Sequence, residues 1–115
     1  MSWWVSLNEK GELVTVDNFS DGGTYVVGGS TDANLNITYN YSALYHEYLD
    51  KDKGLEYLNR KSAKTCIPKL EKAVEALGTE RASDYWLATL GNAGYALSIL
   101  LKWAKAYPEA LFSVS

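Results

Sequence analysis

The sequence has few of the residues from which disulfide frameworks, metal centres and membrane spans are built. Its 115 residues include one cysteine and one histidine, which excludes a disulfide within the chain and a zinc site made of Cys and His. Its apolar runs all fall well short of the roughly 18 residues that a membrane-spanning helix needs. Eleven Lys and Arg stand against fourteen Asp and Glu, so the basic footprint of a general nucleic-acid binder is missing. We therefore expect no metal, no cofactor, no membrane contact and no general nucleic-acid binding.

What the sequence does contain is enough apolar material for one core. Hydrophobic residues make up 47% of the chain and charged residues 22%, which is typical of a folded protein and not of a disordered one. A chain of this length corresponds to one domain, so we predict a single domain over residues 1–115. The opening residues lack a basic start followed by an apolar run, and we expect a cytoplasmic protein.

The two halves of the chain have different hydrophobic periods. Short segments that alternate or are rich in β-formers predict strands at residues 2–7, 12–16, 24–27 and 33–39, separated by Gly-containing turns. After residue 40 the spacing becomes helical, with helices predicted over about 42–50, 63–77 and 91–107. A last alternating segment at 110–114 is expected to return as a strand. The fold class is α+β: a small antiparallel sheet, made of N-terminal strands plus a C-terminal strand, packed on about three helices.

Few side chains are suited to catalysis. His46 is the only histidine, so a His-dependent hydrolase would have to use it as the general base. The simpler interpretation is a half-exposed histidine on a helix. Cys66 lies at the predicted start of a helix, where a thiol can be activated, but it also falls on the expected core face, which favours a buried structural role. We assign no catalytic residue.

A basic pair precedes the second predicted helix. Arg60 and Lys61 stand just before Ser62, so positive charge, a hydroxyl and the free amides of a helix start would come together. Such an arrangement can bind an anion such as a phosphate. The alternative is that the helix start simply caps itself.

The strongest signal is the density of tyrosine, tryptophan and amide side chains at two junctions. Nine tyrosines and four tryptophans are many for a small core, and buried Tyr and Trp need partners for their polar ends. If the two junctions lie together, they form a polar and aromatic ligand site, to which the basic pair would contribute charge. The alternative is that the rings are core residues and that Asn40 and Asn92 are helix caps. The predicted ligand-binding residues are Thr38, Tyr39, Asn40, Tyr41, Arg60, Lys61, Tyr85, Trp86, Thr89 and Asn92.

The order of the motifs GGTY, LNITYNYS, DYW and GNA resembles that of a group of small uncharacterised proteins encoded in bacteriophages, prophages and bacterial genomes. The resemblance extends over residues 22–114. The group has a GK(S/T) element where this chain has Arg60, Lys61 and Ser62. The resemblance implies a phage or prophage origin and no particular activity.

These observations favour a non-enzymatic binding protein over an enzyme. We expect it to occupy a host protein or to sequester a small nucleotide-like ligand, since Tyr and Trp dominate recognition surfaces and stacking pockets. A second hypothesis is a homo-oligomeric assembly protein, in which Trp3 and Trp4 form an adhesive surface. A third is a small hydrolase that uses His46.

Overall fold

The structure, a computed structural model, describes residues 1–19 and 28–115 of the chain. The strand predicted at 24–27, the glycine pair at 22–23 and the GGTY motif lie outside the described residues. Within them the strands are β1 (Ser2–Glu9), β2 (Glu12–Leu13), β3 (Thr15–Phe19), β4 (Ser30–Asp32), β5 (Asn34–Thr38) and β6 (Leu111–Val114), and the α-helices are α1 (Ser42–Tyr48), α2 (Ala63–Leu77) and α3 (Leu90–Ala106). Among the described residues there are also two 3-10 helices: Tyr39–Tyr41 lies between β5 and α1, and Gly54–Leu58 lies between α1 and α2. The predicted α+β class is confirmed.

The main sheet is built around β1. β5 lies antiparallel along one edge of β1 and β6 lies antiparallel along the other, so that Val5 stands between Leu35 and Val114. β2 pairs with the end of β1, whereas β3 and β4 form a separate two-stranded ribbon. The C-terminal strand therefore returns to the N-terminal sheet, as predicted.

The first hairpin has a two-residue turn at Lys10 and Gly11. Both residues have positive φ, 55° and 82°, which is what a type I′ turn requires and what matches the twist of the flanking strands. The pair Glu9 and Glu12 closes the ladder on the strand side of the turn. The sequence predicted this hairpin from Gly11, and the observed first strand is two residues longer than expected.

The core lies between the inner face of the sheet and the helices. Alternate residues of β1 (Trp3, Val5, Leu7) point into it together with residues of β5 and β6, and the helices cover them. The long helices α2 and α3 pack along each other, and this packing requires glycine at Gly94, where an added Cβ would overlap the carbonyl oxygen of Gly78. The opposite face of the sheet carries Trp4 and Ser113, both exposed.

The helix positions agree with the sequence, but the residues that cap the helices differ from the alternative in which Asn40 and Asn92 are caps. Thr89, and not Asn92, caps α3, since the Thr89 hydroxyl accepts a hydrogen bond from the backbone N–H of Asn92 at 3.1 Å. Thr38 caps the 3-10 helix Tyr39–Tyr41 in the same way. Ser62 precedes α2 without a side-chain cap; its hydroxyl lies 2.7 Å from that of Thr65 instead. Pro68 lies inside α2, which begins at Ala63.

Among the helices of the described residues, none has both the length and the apolar composition needed to cross a membrane.

Candidate functional site

The two aromatic junctions, whose proximity the sequence left open, meet in the structure. The Asn40 side-chain amide donates a hydrogen bond to the carbonyl of Trp86 at 2.9 Å. The rings of Tyr41 and Tyr85 stand edge to face with centroids 5.8 Å apart, and those of Tyr85 and Trp86 are 5.1 Å apart. The end of β5 and the segment before α3 therefore form one structural unit.

Tyr85 joins this unit to the sheet edge. Its hydroxyl donates to the carbonyl of Asn36 and accepts from the amide of Thr38, both at 3.1 Å. These two backbone groups lie on the outer edge of β5, where a further strand would otherwise pair with them. The Tyr85 hydroxyl therefore contributes to closing this sheet edge, and the polar Thr38 is buried there.

Residues 84–90, which we call the Trp86 loop, are held by side chains from three sides. The carbonyl of Asp84 accepts from Asn92, that of Tyr85 from the Tyr41 hydroxyl, that of Trp86 from Asn40 and that of Leu87 again from Asn92. Four consecutive carbonyls are thus fixed. The carboxylate of Asp84 accepts from the Trp86 amide at 3.0 Å, so the loop is ordered from within as well.

Asn92 uses all of its side-chain hydrogen-bonding groups on this loop or its neighbour. Its amide nitrogen donates to Asp84 at 3.0 Å and to Leu87 at 2.9 Å, while its oxygen accepts from the Ala82 amide at 2.9 Å. The side chain is almost fully buried. Of the two explanations given by the sequence, neither a ligand contact nor a helix cap describes Asn92; it is the anchor of the loop.

The fixed loop exposes apolar side chains. Trp86, Leu87 and Leu90 have 51%, 50% and 45% of their surfaces exposed. Tyr39, on the neighbouring junction, is 39% exposed and packs on Trp3 with ring centroids 4.8 Å apart. Runs of exposed apolar residues are avoided in folded proteins unless they have a function. We call Tyr39, Trp86, Leu87 and Leu90 the apolar patch.

The buried tyrosine hydroxyls of this region have raised pKa values. Burial raises the pKa of Tyr41, and the neighbouring Tyr85 and Asp84 raise it further. Burial also raises the pKa of Tyr45, whose hydroxyl donates to the Ala93 carbonyl at 3.0 Å. Both hydroxyls are therefore donors held in place, and neither is a base.

The basic pair lies away from this site. Arg60 and Lys61 pair with Phe112 on the outer side of β6, which is the opposite edge of the sheet from Tyr85. The amides of Ala63 and Lys64 donate to the carbonyls of Ala110 and Pro108 at 2.7 and 2.9 Å. The predicted anion site therefore lacks its amide donors, and Lys61 instead donates to the Tyr57 carbonyl at 2.8 Å. The structure does not bring the basic pair to the aromatic junctions.

The two candidate reactive side chains, His46 and Cys66, both have contacts that indicate a structural role. The His46 Nδ1 lies 3.0 Å from the Lys51 carbonyl, so Nδ1 carries the proton, and the ring packs on Gly54. Cys66 is buried, and burial raises the pKa of its thiol to about 11, which keeps it protonated and unreactive. Over residues 1–19 and 28–115, no three His, Cys, Asp or Glu side chains gather as a metal site.

Sequence reasoning missed Leu87 and Leu90. A signal was available, since Trp86, Leu87 and Ala88 form a short apolar run ahead of α3 that matches neither a helical nor a strand period. Leu90 is the first residue of α3. The predicted site rested on the density of aromatic and amide side chains, and leucines were not considered as contact residues.

Comparison of the chain with protein-family models, with curated proteins and with solved structures finds no match. The geometry described above therefore carries the functional argument.

Proposed function

We propose that this is a non-enzymatic binding protein that attaches to a partner protein through the apolar patch. The observation that carries the proposal is the Trp86 loop, in which four consecutive carbonyls are fixed by side chains while Trp86 and Leu87 are exposed. A rigid loop has little conformational entropy to lose on association, so fixing it in advance raises affinity. Protein interfaces derive much of their binding energy from such tryptophan anchors.

A protein partner is favoured over a small nucleotide-like ligand at this site. The amide and hydroxyl groups that would recognise a nucleotide, those of Asn40, Thr89 and Asn92, are engaged within the chain. The basic pair that would bind its phosphate lies on the other sheet edge. What the site offers to the outside is an indole and two leucine side chains, which fit an apolar groove on another protein.

The other parts of the sequence hypothesis belong to the same proposal. The proposal includes a phage or prophage origin, a host protein as the partner and the cytoplasm as the place of action. The single cysteine, reduced and buried, is in keeping with a protein that does not depend on disulfides.

Two alternatives lead to different measurements. Self-association, which the sequence hypothesis placed at Trp3 and Trp4, predicts a mass that rises with concentration in light scattering. Of these two residues the structure buries Trp3 in the core and exposes Trp4. A hydrolase using His46 has less support, because the His46 Nδ1 is bound to the Lys51 carbonyl and its ring packs against Gly54. It predicts an activity that His46→Ala abolishes.

The test compares capture of partners by the protein and by matched variants. The loop variant carries Trp86→Ala and Leu87→Ala. The control carries Leu13→Ala and Leu111→Ala, which are also exposed leucines, at 40% and 51%, but lie on the sheet. A protein captured from a bacterial lysate is then purified and titrated against each form.

We expect the loop variant to bind that partner about 30-fold or more weakly, since an anchor residue is worth about 2 kcal/mol or more. The control should bind as the unchanged protein does. Both variants should remain folded and lose only about 1–2 kcal/mol of the free energy of unfolding in urea, because their side chains are about half exposed and the loop variant also loses the ring contact between Trp86 and Tyr85. Equal affinities of the loop variant and the control, or no partner and no self-association at all, would contradict the proposal.

A further inference from the structure

A second candidate site lies between β3 and α3, away from the apolar patch. A cavity of about 550 Å³ opens there, within the usual range for small-molecule sites. Its inner wall is aromatic and aliphatic, with Phe19 on β3 and Tyr95, Ile99 and Trp103 on α3. The Phe19 and Trp103 rings are 5.4 Å apart. The volume and these rings suit a planar aromatic group.

The cavity carries one charge of each sign at its mouth. Asp17 on β3 and Lys102 on α3 form an ion pair with 3.4 Å between the carboxylate oxygen and the ammonium nitrogen. They are the charged members among the described residues that line the cavity. Both side chains are largely exposed, so the pair contributes little to stability and opens readily to another partner.

The backbone places these charges next to the rings. On β3, Asp17 precedes Phe19 by two residues, and both meet α3; on α3, Lys102 is followed directly by Trp103. The register of β3 against β4 shifts between Thr15 and Phe19, an irregularity that redirects side chains and recurs at binding sites. The Tyr107 hydroxyl fixes the ribbon by donating to the Thr15 carbonyl at 2.6 Å.

We propose that this cavity binds an aromatic zwitterion, of the class of the aromatic α-amino acids. The ring packs against the partly exposed side chains of Phe19, Tyr95 and Ile99, and Trp103, which is almost fully buried, supports Phe19 from behind. The ligand carboxylate pairs with the Lys102 ammonium and the ligand ammonium pairs with the Asp17 carboxylate, each in place of the present ion pair. A ligand with one charge leaves either Lys102 or Asp17 facing an uncharged group, whereas a zwitterion complements both.

The experiment measures binding of four indole compounds by isothermal titration calorimetry: L-tryptophan, tryptamine, indole-3-propionate and indole. We expect L-tryptophan to bind most tightly and indole most weakly. The Lys102→Gln variant should bind indole-3-propionate about two- to fivefold more weakly and tryptamine no more weakly than the unchanged protein, because it frees Asp17 from its present ion pair. Asp17→Asn should do the reverse, as expected for exposed ion pairs. Saturable binding with this pattern supports the proposal.

A substitution that fills the cavity tests whether the ligand binds there. Ala106→Trp places a large ring among the lining residues and should reduce the affinity for L-tryptophan at least about tenfold. The control is Ala43→Trp, an exposed alanine on α1, which should leave the affinity unchanged. In case Ala106→Trp does not fold, amide chemical shifts of the unchanged protein locate the ligand, and those of residues 15–19 and 95–107 should move most.

Three results overturn the proposal: no saturable binding of any compound, equal affinity for all four compounds, or shift changes confined to other residues. Retained binding by a folded Ala106→Trp variant also overturns it. The loop variant with Trp86→Ala and Leu87→Ala should bind L-tryptophan normally, because the apolar patch is a different surface; loss of binding there would place the ligand on the patch and contradict the inference.

Discussion

At the residue scale, two tyrosines show how a small core accepts polar rings. Tyr41 and Tyr45 are fully buried, and each hydroxyl donates to a backbone carbonyl, of Tyr85 and of Ala93 respectively. The sequence hypothesis held that a core of this size cannot enclose all of the polar ring ends. These two rings are enclosed because carbonyls of the Trp86 loop and of α3 point inward and accept from their hydroxyls, whereas Trp4, Tyr39 and Trp86 are exposed.

These phenols give the protein a stability that depends on pH. Burial raises the pKa of both groups above the value of about 10 that they have in the unfolded chain. Above pH 10 the unfolded state releases these protons while the folded state retains them, so the free energy of unfolding falls as pH rises. Each phenol should lower the free energy of unfolding by at most about 1.4 kcal/mol at pH 11 and should have no effect below pH 9.

Urea unfolding at pH 8 and pH 11 measures this loss. The variant with Tyr41→Phe and Tyr45→Phe, although less stable at pH 8, should lose less on going to pH 11 than the unchanged protein. Tyr39→Phe is the control, because Tyr39 is exposed. If all three proteins lose the same amount, the buried phenols do not cause the pH dependence.

At the scale of an element, the Trp86 loop depends on one side chain. Asn92→Ala would leave the carbonyls of Asp84 and Leu87 and the amide of Ala82 without their side-chain partner. Unpaired buried groups of this kind each cost about 1 kcal/mol or more, so we expect the free energy of unfolding to fall by about 2–3 kcal/mol. Amide hydrogen exchange over residues 82–89 should accelerate as well.

Asn92→Asp separates the parts of this effect, because it keeps an oxygen to accept from Ala82 and removes both donors. It should lose as much stability as Asn92→Ala. The control is Asn8→Ala, since Asn8 is only partly buried and donates to the Ser6 hydroxyl at 3.0 Å; a loss below about 1 kcal/mol is expected. Similar losses for Asn8→Ala and Asn92→Ala would show that Asn92 is not a special anchor.

At the scale of the whole molecule, β6 connects the N-terminal sheet to the segment that precedes α2. β6 lies against β1 along its whole length and receives the segment at 60–62 on its other side. Its Phe112 is almost completely buried among residues of the core. β6 therefore joins elements that are distant in sequence, and we expect these elements to unfold as one cooperative unit.

Phe112→Ala should reduce the free energy of unfolding by about 3–5 kcal/mol, the usual cost of removing a buried phenylalanine side chain. That is a large part of the 5–15 kcal/mol typical of a domain, so the thermal midpoint should drop steeply. Circular dichroism and tryptophan fluorescence should report the same transition. Ser113→Ala, exposed on the same strand, should be neutral; a loss confined to one probe would contradict the single cooperative unit.

The sequence predicted elements better than it predicted contacts between them. The bounds of α2 follow from the spacing of Ile67, Leu70, Val74 and Leu77 and from Gly78 after them, because helix period and C-terminal glycine are local properties. The helix caps were assigned less well. Thr89 and Asn92 are three residues apart and both suit a cap, so the choice depends on what else each side chain can reach.

The sequence by itself determined the α+β class and the return of the last strand, because alternating and helical apolar spacings indicate which faces must be buried. Whether the two aromatic junctions meet was decided by the tertiary structure. Only the tertiary structure decided that Asn40, Tyr41 and Asn92 hold the Trp86 loop while Trp86 and Leu87 are exposed. It also separated Arg60 and Lys61 from that site and placed Asp17 beside Lys102. The physical reason is that a polar side chain bonds whichever backbone group the fold brings within about 3 Å, and that neighbour comes from a distant part of the chain.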